Sequence, residues 1–288
     1  MGDIKHRVGL IGWPADHSVS PAMQNAAFKD LGLADWEYDL LPTPPNELEV
    51  RVKNLHERGY VGANVTVPHK QKIMPFLGSI ALSARGANAV NTLIWEEHHF
   101  VGHNTDVFGI RADLESNGVD LKNLRALVLG AGGAAHAAVL AMTNAGAQVT
   151  IINRHSQRAW DLYRNVKRGV TSKFNVAVHE RSALGKIVSQ VDLIMNCTSA
   201  GMWPHYVQES PWPDEVPFPS GIIAYDMVYR PTVTRFMRQA ADAGSRAIGG
   251  LGMLVQQGAA AFHLWTGKEP NTEVMLNAAK NYLEEAKD

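Results

Sequence analysis

The sequence predicts an α/β protein with parallel sheets and a Rossmann-like block. Three observations carry this. Short β-like runs alternate with helical stretches along the chain. An apolar run meets a glycine cluster at 130–133. At 288 residues the chain exceeds the size at which single cores stop growing, so two domains are the natural division, with one large domain left open.

The first block opens with a strand at 8–11. Ser20-Pro21 then starts a helix carrying Met23, Ala27 and Leu31, with Ser20 at the N-cap, Pro21 at the first helical position and Gly32 past the end. A strand at 36–41, a helix at 46–58 stopped by Gly59 and a strand at 60–67 follow. Residues 89–95 and 100–103 read as a hairpin around a polar tip at 96–99. The second block starts with a helix at 106–117 ended by Gly118, then a strand at 125–129. Alternation continues through 148–152, 157–166, 175–179, 191–196 and 222–228. Residues 203–220 contain Pro204, Pro211, Pro213, Pro217 and Pro219, and read either as an active-site lid or as a stiff surface loop. From Gly252 the tail holds two helices, one through Trp265 and one at 272–286.

Composition narrows the functional classes. Lys plus Arg total 27 against 28 Asp plus Glu with no run of like charge, so no nucleic-acid face or membrane-surface patch is expected. The lone cysteine, Cys197, excludes an internal disulfide and a cysteine-clustered zinc site, and fits a reducing cytosol. Residues 1–7 are charged and precede only a short apolar run, so neither a signal peptide nor a transmembrane helix is expected, and a cytoplasmic location follows by default. None of the 12 histidines has HExxH-like spacing; no metal is expected, and His98 and His99 read as surface residues on the hairpin tip.

Chemistry concentrates in a few clusters. Gly130-Ala131-Gly132-Gly133-Ala134-Ala135 follows a strand and opens a helix, the GxGxxA context in which small residues let the backbone approach a pyrophosphate at a helix start. The alternative is a glycine-rich turn without a ligand. The next strand ends in Asn153-Arg154-His155-Ser156-Gln157-Arg158, with no carboxylate to accept ribose hydroxyls and two guanidinium groups that can converge on a 2′-phosphate. NADP is therefore favoured over NAD, against the alternative that both arginines are merely solvated. In the first block, Ser18 and Ser20 in His17-Ser18-Val19-Ser20-Pro21 place two hydroxyls beside a helix start, a cradle for a small carboxylate; Ser20 alone is equally a cap. Asn64-Val65-Thr66-Val67-Pro68-His69-Lys70 offers Thr66 and Lys70, the latter able to give a proton to a forming alkoxide or to be an ordinary surface charge. Asn91-Thr92 and Asn104-Thr105-Asp106 add an amide and a carboxylate, which orients the lysine, binds a hydroxyl or simply suits a helix start.

HSxSP, NVTVPHK, AVNT, NTD, GAGGA, NR and GLGMLVQQG, in this order across nearly the whole chain, resemble the shikimate dehydrogenase family. The resemblance implies a substrate domain of 1–105 completed by C-terminal helices at 250–288, with the NADP-binding Rossmann domain, 106–249, inserted between. It implies Lys70 and Asp106 as the catalytic pair, Ser18 and Ser20 as carboxylate ligands, and Thr66, Asn91, Tyr229 and Gln257 as further substrate contacts. It assigns the cofactor to Gly130, Ala131, Gly132, Gly133, Ala134, Asn153, Arg154, Arg158, Met227 and Gly250. The implied reaction is reversible NADPH-dependent reduction of 3-dehydroshikimate in aromatic amino acid (chorismate) biosynthesis, by a monomer or homodimer. The chain departs from the family where His155 replaces a frequent threonine, Val107 a common glycine and His136 a frequent arginine, which loosens the cofactor expectation. Two rivals stand beside it: a quinate/shikimate dehydrogenase using NAD, and a non-catalytic shikimate-binding sensor, against which Lys70 and Asp106 argue. Another small-molecule dehydrogenase would explain GAGGA but not HSVSP with NVTVPHK.

Overall fold

The computed structural model describes residues 6–169 and 175–285, so residues 1–5 of the charged N-terminal stretch and the expected helix end at Ala286 lie outside the described residues. The chain divides into two compact units, 1–109 with 255–288, and 110–254.

The first unit is built on a six-stranded mixed sheet. Its strands are β1 (His6–Gly12), β2 (Trp36–Pro42), β3 (Gly62–Val65), β4 (Ser79–Ile80), β5 (Thr92–Glu96) and β6 (His99–His103), in the order β2-β1-β3-β5-β6-β4. β1 pairs parallel to β2 and β3, and β5 antiparallel to β3 and β6. α1 (Ser20–Asp30) packs Met23, Ala27 and Phe28 with Val8, Leu10 and Tyr38 from the sheet. That core also takes Val255, Ala259 and Phe262 from residues 255–266, and Met275 from the last helix, α10 (Thr272–Glu285). A second core, with Ile11, Leu55, Tyr60, Ile73, Leu93 and Phe100, joins α2 (Leu48–Lys53) and α3 (Leu82–Ala87) to the sheet.

Several expectations for this unit change. Ser20 is not an N-cap: Val19 holds that position without a side-chain cap bond, and Ser20 is the first helical residue. The helix expected at 46–58 is a single 3₁₀ turn, Pro45–Glu47, followed by α2 alone. Beyond Lys53 the chain tightens, with Leu55 N–H bonded to Val52 O and Gly59 N–H to His56 O, which carries Leu55 into the core. The strand expected at 60–67 shortens to β3, because Tyr60 makes only an isolated bridge to Arg7 and the chain turns after Thr66, where His69 N–H reaches Thr66 O. The hairpin turn is narrower than 96–99: Glu96 pairs with His99, and Glu97 and His98 alone turn the chain at φ +45° and +66°. His98 is exposed, but His99 is half-buried, lying against Gly78 and 3.3 Å from Ser79 Oγ. β4 and α3 carry no strong periodicity and were not anticipated.

The second unit is an all-parallel six-stranded sheet, the order being β12-β11-β10-β7-β8-β9. Its strands are β7 (Arg125–Leu129), β8 (Gln148–Ile152), β9 (Val176–His179), β10 (Leu193–Asn196), β11 (Ile223–Asp226) and β12 (Arg246–Gly249). Helices α4 (Asp106–Ser116) and α9 (Leu251–Thr266) span the two breaks between units, while α5 (Gly133–Asn144), α6 (Ser156–Gly169), α7 (Leu184–Ile187) and α8 (Arg235–Asp242) belong to the second unit. The order of strands, with β7 and β10 adjacent at the centre and the sequence running outward from each, creates the switch point at which α/β sheets bind ligands. α8 and β12 were not anticipated, although Thr234, whose hydroxyl accepts from Met237 N–H, is a clear cap signal for α8.

The proline-rich 203–220 segment contains no helix or strand, and it is anchored rather than loose. Trp212 is buried against Phe218 and Phe236, its indole N–H donates to Val216 O at 2.8 Å, and the Ser210 hydroxyl donates to Gln239 Oε1 at 2.5 Å. Its outer turn adds Glu209, Ser210 and Pro211 to the lining of the cleft described below.

Candidate active site

The first unit gathers most of the expected polar residues into one hydrogen-bonded constellation. Asn91 lies just before β5 and Asp106 begins α4, so the neighbouring ends of the β5–β6 hairpin bring residues 15 apart in sequence into contact. Lys70 Nζ donates to Asp106 Oδ2 at 2.6 Å, and Asn91 Nδ2 donates to Asp106 Oδ1 at 2.8 Å. Both carboxylate oxygens are thus engaged, one by a cation and one by a neutral amide. Asp106 is 4% exposed, whereas the Lys70 side chain is 22% exposed, so the lysine is the member of the pair with access to a ligand. Asn91 Nδ2 also faces Thr105 Oγ1 at 2.9 Å and Gln257 Oε1 at 3.3 Å, which places Gln257 in the same cluster despite its distance along the chain.

The serine pair sits at the start of α1. Ser18 Oγ donates to Ser20 Oγ at 3.1 Å and accepts Ser20 N–H at 3.2 Å, so both hydroxyls converge where a carboxylate would find donors. Thr66 follows β3, its N–H bonded to Ile11 O, and its methyl occupies the space a side chain at Gly12 would need: a Cβ there would lie 2.4 Å from Thr66 Cγ2. Tyr229 is half-buried and belongs to the second unit, three residues beyond β11.

Four residues of this cluster escaped sequence reading. Tyr38, Asn64, Thr92 and Thr105 are buried and hydrogen-bonded to one another or to Asn91. Asn64 and Thr92 lie inside motifs already singled out, and the signal was available in their polarity at strand positions. Tyr38 gave no signal, because a tyrosine in a strand reads as core.

In the second unit a cleft of about 380 Å³ opens along the carboxyl ends of β7, β8 and β10. Gly130, Ala131, Gly132, Asn153, Arg154 and Arg158 line it, together with Cys197 to Ala200 and the outer turn of the proline-rich segment. Gly130 has φ +115° and a Cβ would meet Cys197 O at 2.9 Å, so glycine is required on both counts. Gly132 is the N-cap of α5 and offers no side-chain cap, which leaves the first N–H groups of a 12-residue helix available to an anion. Gly133 and Ala134 form that first turn rather than lining the cleft. Both arginines are exposed at the cleft wall, Asn153 Nδ2 ties its loop to His155 O at 2.9 Å, and residues 153–158 contain no carboxylate. A 2′-phosphate suits this wall and a bare ribose gains little from it. Met227 and Gly250 are not part of this lining but meet each other: a Cβ on Gly250 would lie 2.4 Å from Met227 O.

Two buried groups flank these elements. His136 is 5% exposed in the first turns of α5; burial lowers its pKa, opposed by its Nδ1 contact to Gly132 O at 3.0 Å. Asp226, fully buried at the end of β11, is pushed up to about 6 by burial, although Thr234 Oγ1, Val228 N–H and Asn196 Nδ2 all donate to it and pull the other way.

Known proteins fit this arrangement. Residues 10–93 match the profile of the shikimate dehydrogenase substrate binding domain, 113–208 that of shikimate / quinate 5-dehydrogenase, and 250–280 that of the shikimate 5′-dehydrogenase C-terminal domain. The shikimate dehydrogenase (NADP(+)) of Symbiobacterium thermophilum is 39% identical over 279 residues, covering 96% of this chain and 94% of that protein. A crystal structure of a shikimate dehydrogenase in complex with NADP+ superposes with a TM-score of 0.90 at 36% identity, covering 97% of this chain and 96% of the other. The shikimate 5-dehydrogenase of Thermus thermophilus, in complex with NADP(H) and shikimate, gives a TM-score of 0.85 at 36% identity, covering 96% of this chain and 99% of the other. The two units follow the same α/β design, a substrate-domain sheet and a Rossmann-type sheet. The chain belongs to the shikimate dehydrogenase family.

Proposed function

We propose that the chain is an NADP-dependent shikimate dehydrogenase that interconverts 3-dehydroshikimate and shikimate. The observation that carries the reading is the Lys70–Asp106–Asn91 constellation in a unit distinct from one with a phosphate-accepting cleft. The substrate unit is 1–109 with 255–288 and the dinucleotide unit 110–254, within five residues of the 1–105, 250–288 and 106–249 that the resemblance implies, and the substrate is a small molecule.

When bound, the nicotinamide dinucleotide supplies or accepts the hydride. The chain's own residues orient the substrate and move one proton. Ser18 and Ser20 bind the ring carboxylate with their hydroxyls. Thr66, Asn91 and Gln257 bind ring hydroxyls, and Tyr229 is a further substrate contact. Lys70, the more exposed member of its pair, gives a proton from Nζ to the oxygen of the carbonyl being reduced and takes it back in the reverse direction. Asp106, fixed by Asn91, holds Nζ in place and accepts from a neighbouring ring hydroxyl. Such positioning supplies much of the rate enhancement. Arg154 and Arg158 would hold the 2′-phosphate and the first N–H groups of α5 the pyrophosphate, with Met227 and Gly250 as further cofactor residues.

The experiment is a comparison of initial rates for four mixtures, shikimate or quinate with NADP or NAD. Fast turnover with shikimate and NADP supports the reading. Faster turnover of quinate with NAD moves the protein to the quinate branch.

A further inference from the structure

A chain of buried polar groups runs from the serine pair to the catalytic pair, and every bond in it points the same way. Tyr38 O–H donates to Asn64 Oδ1 at 2.9 Å. Asn64 Nδ2 donates to Thr92 Oγ1 at 3.2 Å, and Thr92 O–H donates to Asn91 Oδ1 at 3.0 Å. Asn91 Nδ2 donates to Asp106 Oδ1 at 2.8 Å, whose other oxygen takes Lys70. All five residues from Tyr38 to Asp106 are buried.

The direction is fixed by backbone partners. Thr105 N–H points at Asn91 Oδ1 from 2.8 Å, so Asn91 can present only its NH₂ to Asp106. Asn64 Nδ2 also donates to Asn91 O at 3.2 Å, so Asn64 can present only its oxygen to Tyr38. Tyr38 is itself locked: Asn25 Oδ1 accepts Tyr38 N–H at 2.9 Å and Asn25 Nδ2 donates to Tyr38 O at 3.0 Å. Burial pushes the Tyr38 phenol well above its ordinary value, with the Ser20 hydroxyl acting against it, so Tyr38 remains a donor throughout the working range. A run of aligned donors in a low-dielectric interior polarises each successive bond.

We propose that Tyr38 is a positioning residue for the reaction, the head of a one-way hydrogen-bond chain through Asn64, Thr92 and Asn91 that holds Asp106 as the acceptor for Lys70. The inference rests on the dehydrogenase reading above. Tyr38 touches no reacting atom; its effect reaches the substrate through Asp106. Its contact with Ser20 sets the same chain beside the carboxylate-binding hydroxyls.

The test uses the full-length protein and two shape-preserving variants, Tyr38→Phe and Thr92→Val, measured for kcat, both KM values, the pH profile of kcat and thermal melting. Each single variant is expected to lower kcat about tenfold, to move the acid limb of the kcat profile to higher pH, and to leave the KM for NADP unchanged. Because both break one chain, the double variant loses about tenfold rather than about a hundredfold. A structural role alone would lower the melting midpoint without moving the acid limb. Wild-type kcat and pH profile in Tyr38→Phe, or losses that multiply in the double variant, overturn the proposal. If either variant fails to fold, the other still decides it through its pH profile. An unaltered protein with no turnover would sink the dehydrogenase reading and this inference with it, whereas an active parent with indifferent variants would sink the chain alone.

Discussion

Replacing Lys70 by alanine separates proton transfer from binding. In the native site Lys70 Nζ lies 2.6 Å from Asp106 Oδ2, and Asp106 is 4% exposed. The variant leaves that carboxylate with Asn91 Nδ2 at 2.8 Å as its remaining side-chain partner among the described residues. Losing one charge-assisted bond at a buried acceptor costs about 1.5–3 kcal/mol of stability, which a folded unit with two apolar cores tolerates. The kinetic loss is larger, because a positioned general acid contributes about 10²- to 10⁴-fold. At saturating shikimate and NADP, followed at the reduced-nicotinamide band, Lys70→Ala is expected to lower kcat by that factor while the KM for shikimate changes by no more than about threefold. Unchanged kcat, or a loss carried wholly by KM, would remove Lys70 from proton transfer and leave it a binding residue.

Other consequences concern the second unit. Substituting Arg154 and Arg158 together by alanine should raise the KM for NADP about a hundredfold and that for NAD by less than about threefold, since each exposed guanidinium accounts for about tenfold; equal effects on both dinucleotides would refute the phosphate assignment. Asp226 makes stability depend on pH. Its folded value, about 6, lies above the ordinary 3.8, so its protonated form favours folding below about 3.8 and that contribution disappears as pH rises through about 6, a span of about 3 kcal/mol. Denaturation midpoints across that window should show Asp226→Asn lacking this slope, and identical slopes in the two proteins would count against a raised carboxyl. Gly130→Ala sets a Cβ 2.9 Å from Cys197 O at φ +115°, and dinucleotide affinity measured by fluorescence titration should fall about tenfold or more; native affinity would contradict the close backbone approach.

Sequence patterning disclosed the second unit best. The strand at 125–129 and the one at 148–152 appear where the apolar runs place them, because a parallel sheet covered on both faces demands continuous apolar segments. The glycine cluster was legible for a different reason: its backbone conformation admits no other residue at Gly130. Legibility failed where tertiary packing overrode local preference. The segment 46–58 has helical spacing, yet burying Leu55 and Tyr60 required a turn after Lys53. Ser20 looks like a cap, but its hydroxyl accepts from Ser18 and meets Tyr38, and its backbone is already helical. Lys70, Asn91 and Asp106 were identifiable one by one from their motifs. The chain behind them was not: Asn64 and Thr92 show only as polar residues at strand positions, Tyr38 reads as core, and only the register of β1 with β2 and β3 brings Tyr38 to Asn64.

The most direct test of the central claim mixes purified protein with shikimate and NADP and follows the reduced-nicotinamide absorbance to equilibrium. The account predicts a rise that stops at a fixed ratio of products and reverses when 3-dehydroshikimate and NADPH are added. Shikimate binding without any rise, with either dinucleotide, would contradict it and make the chain a sensor that keeps the site but not the reaction.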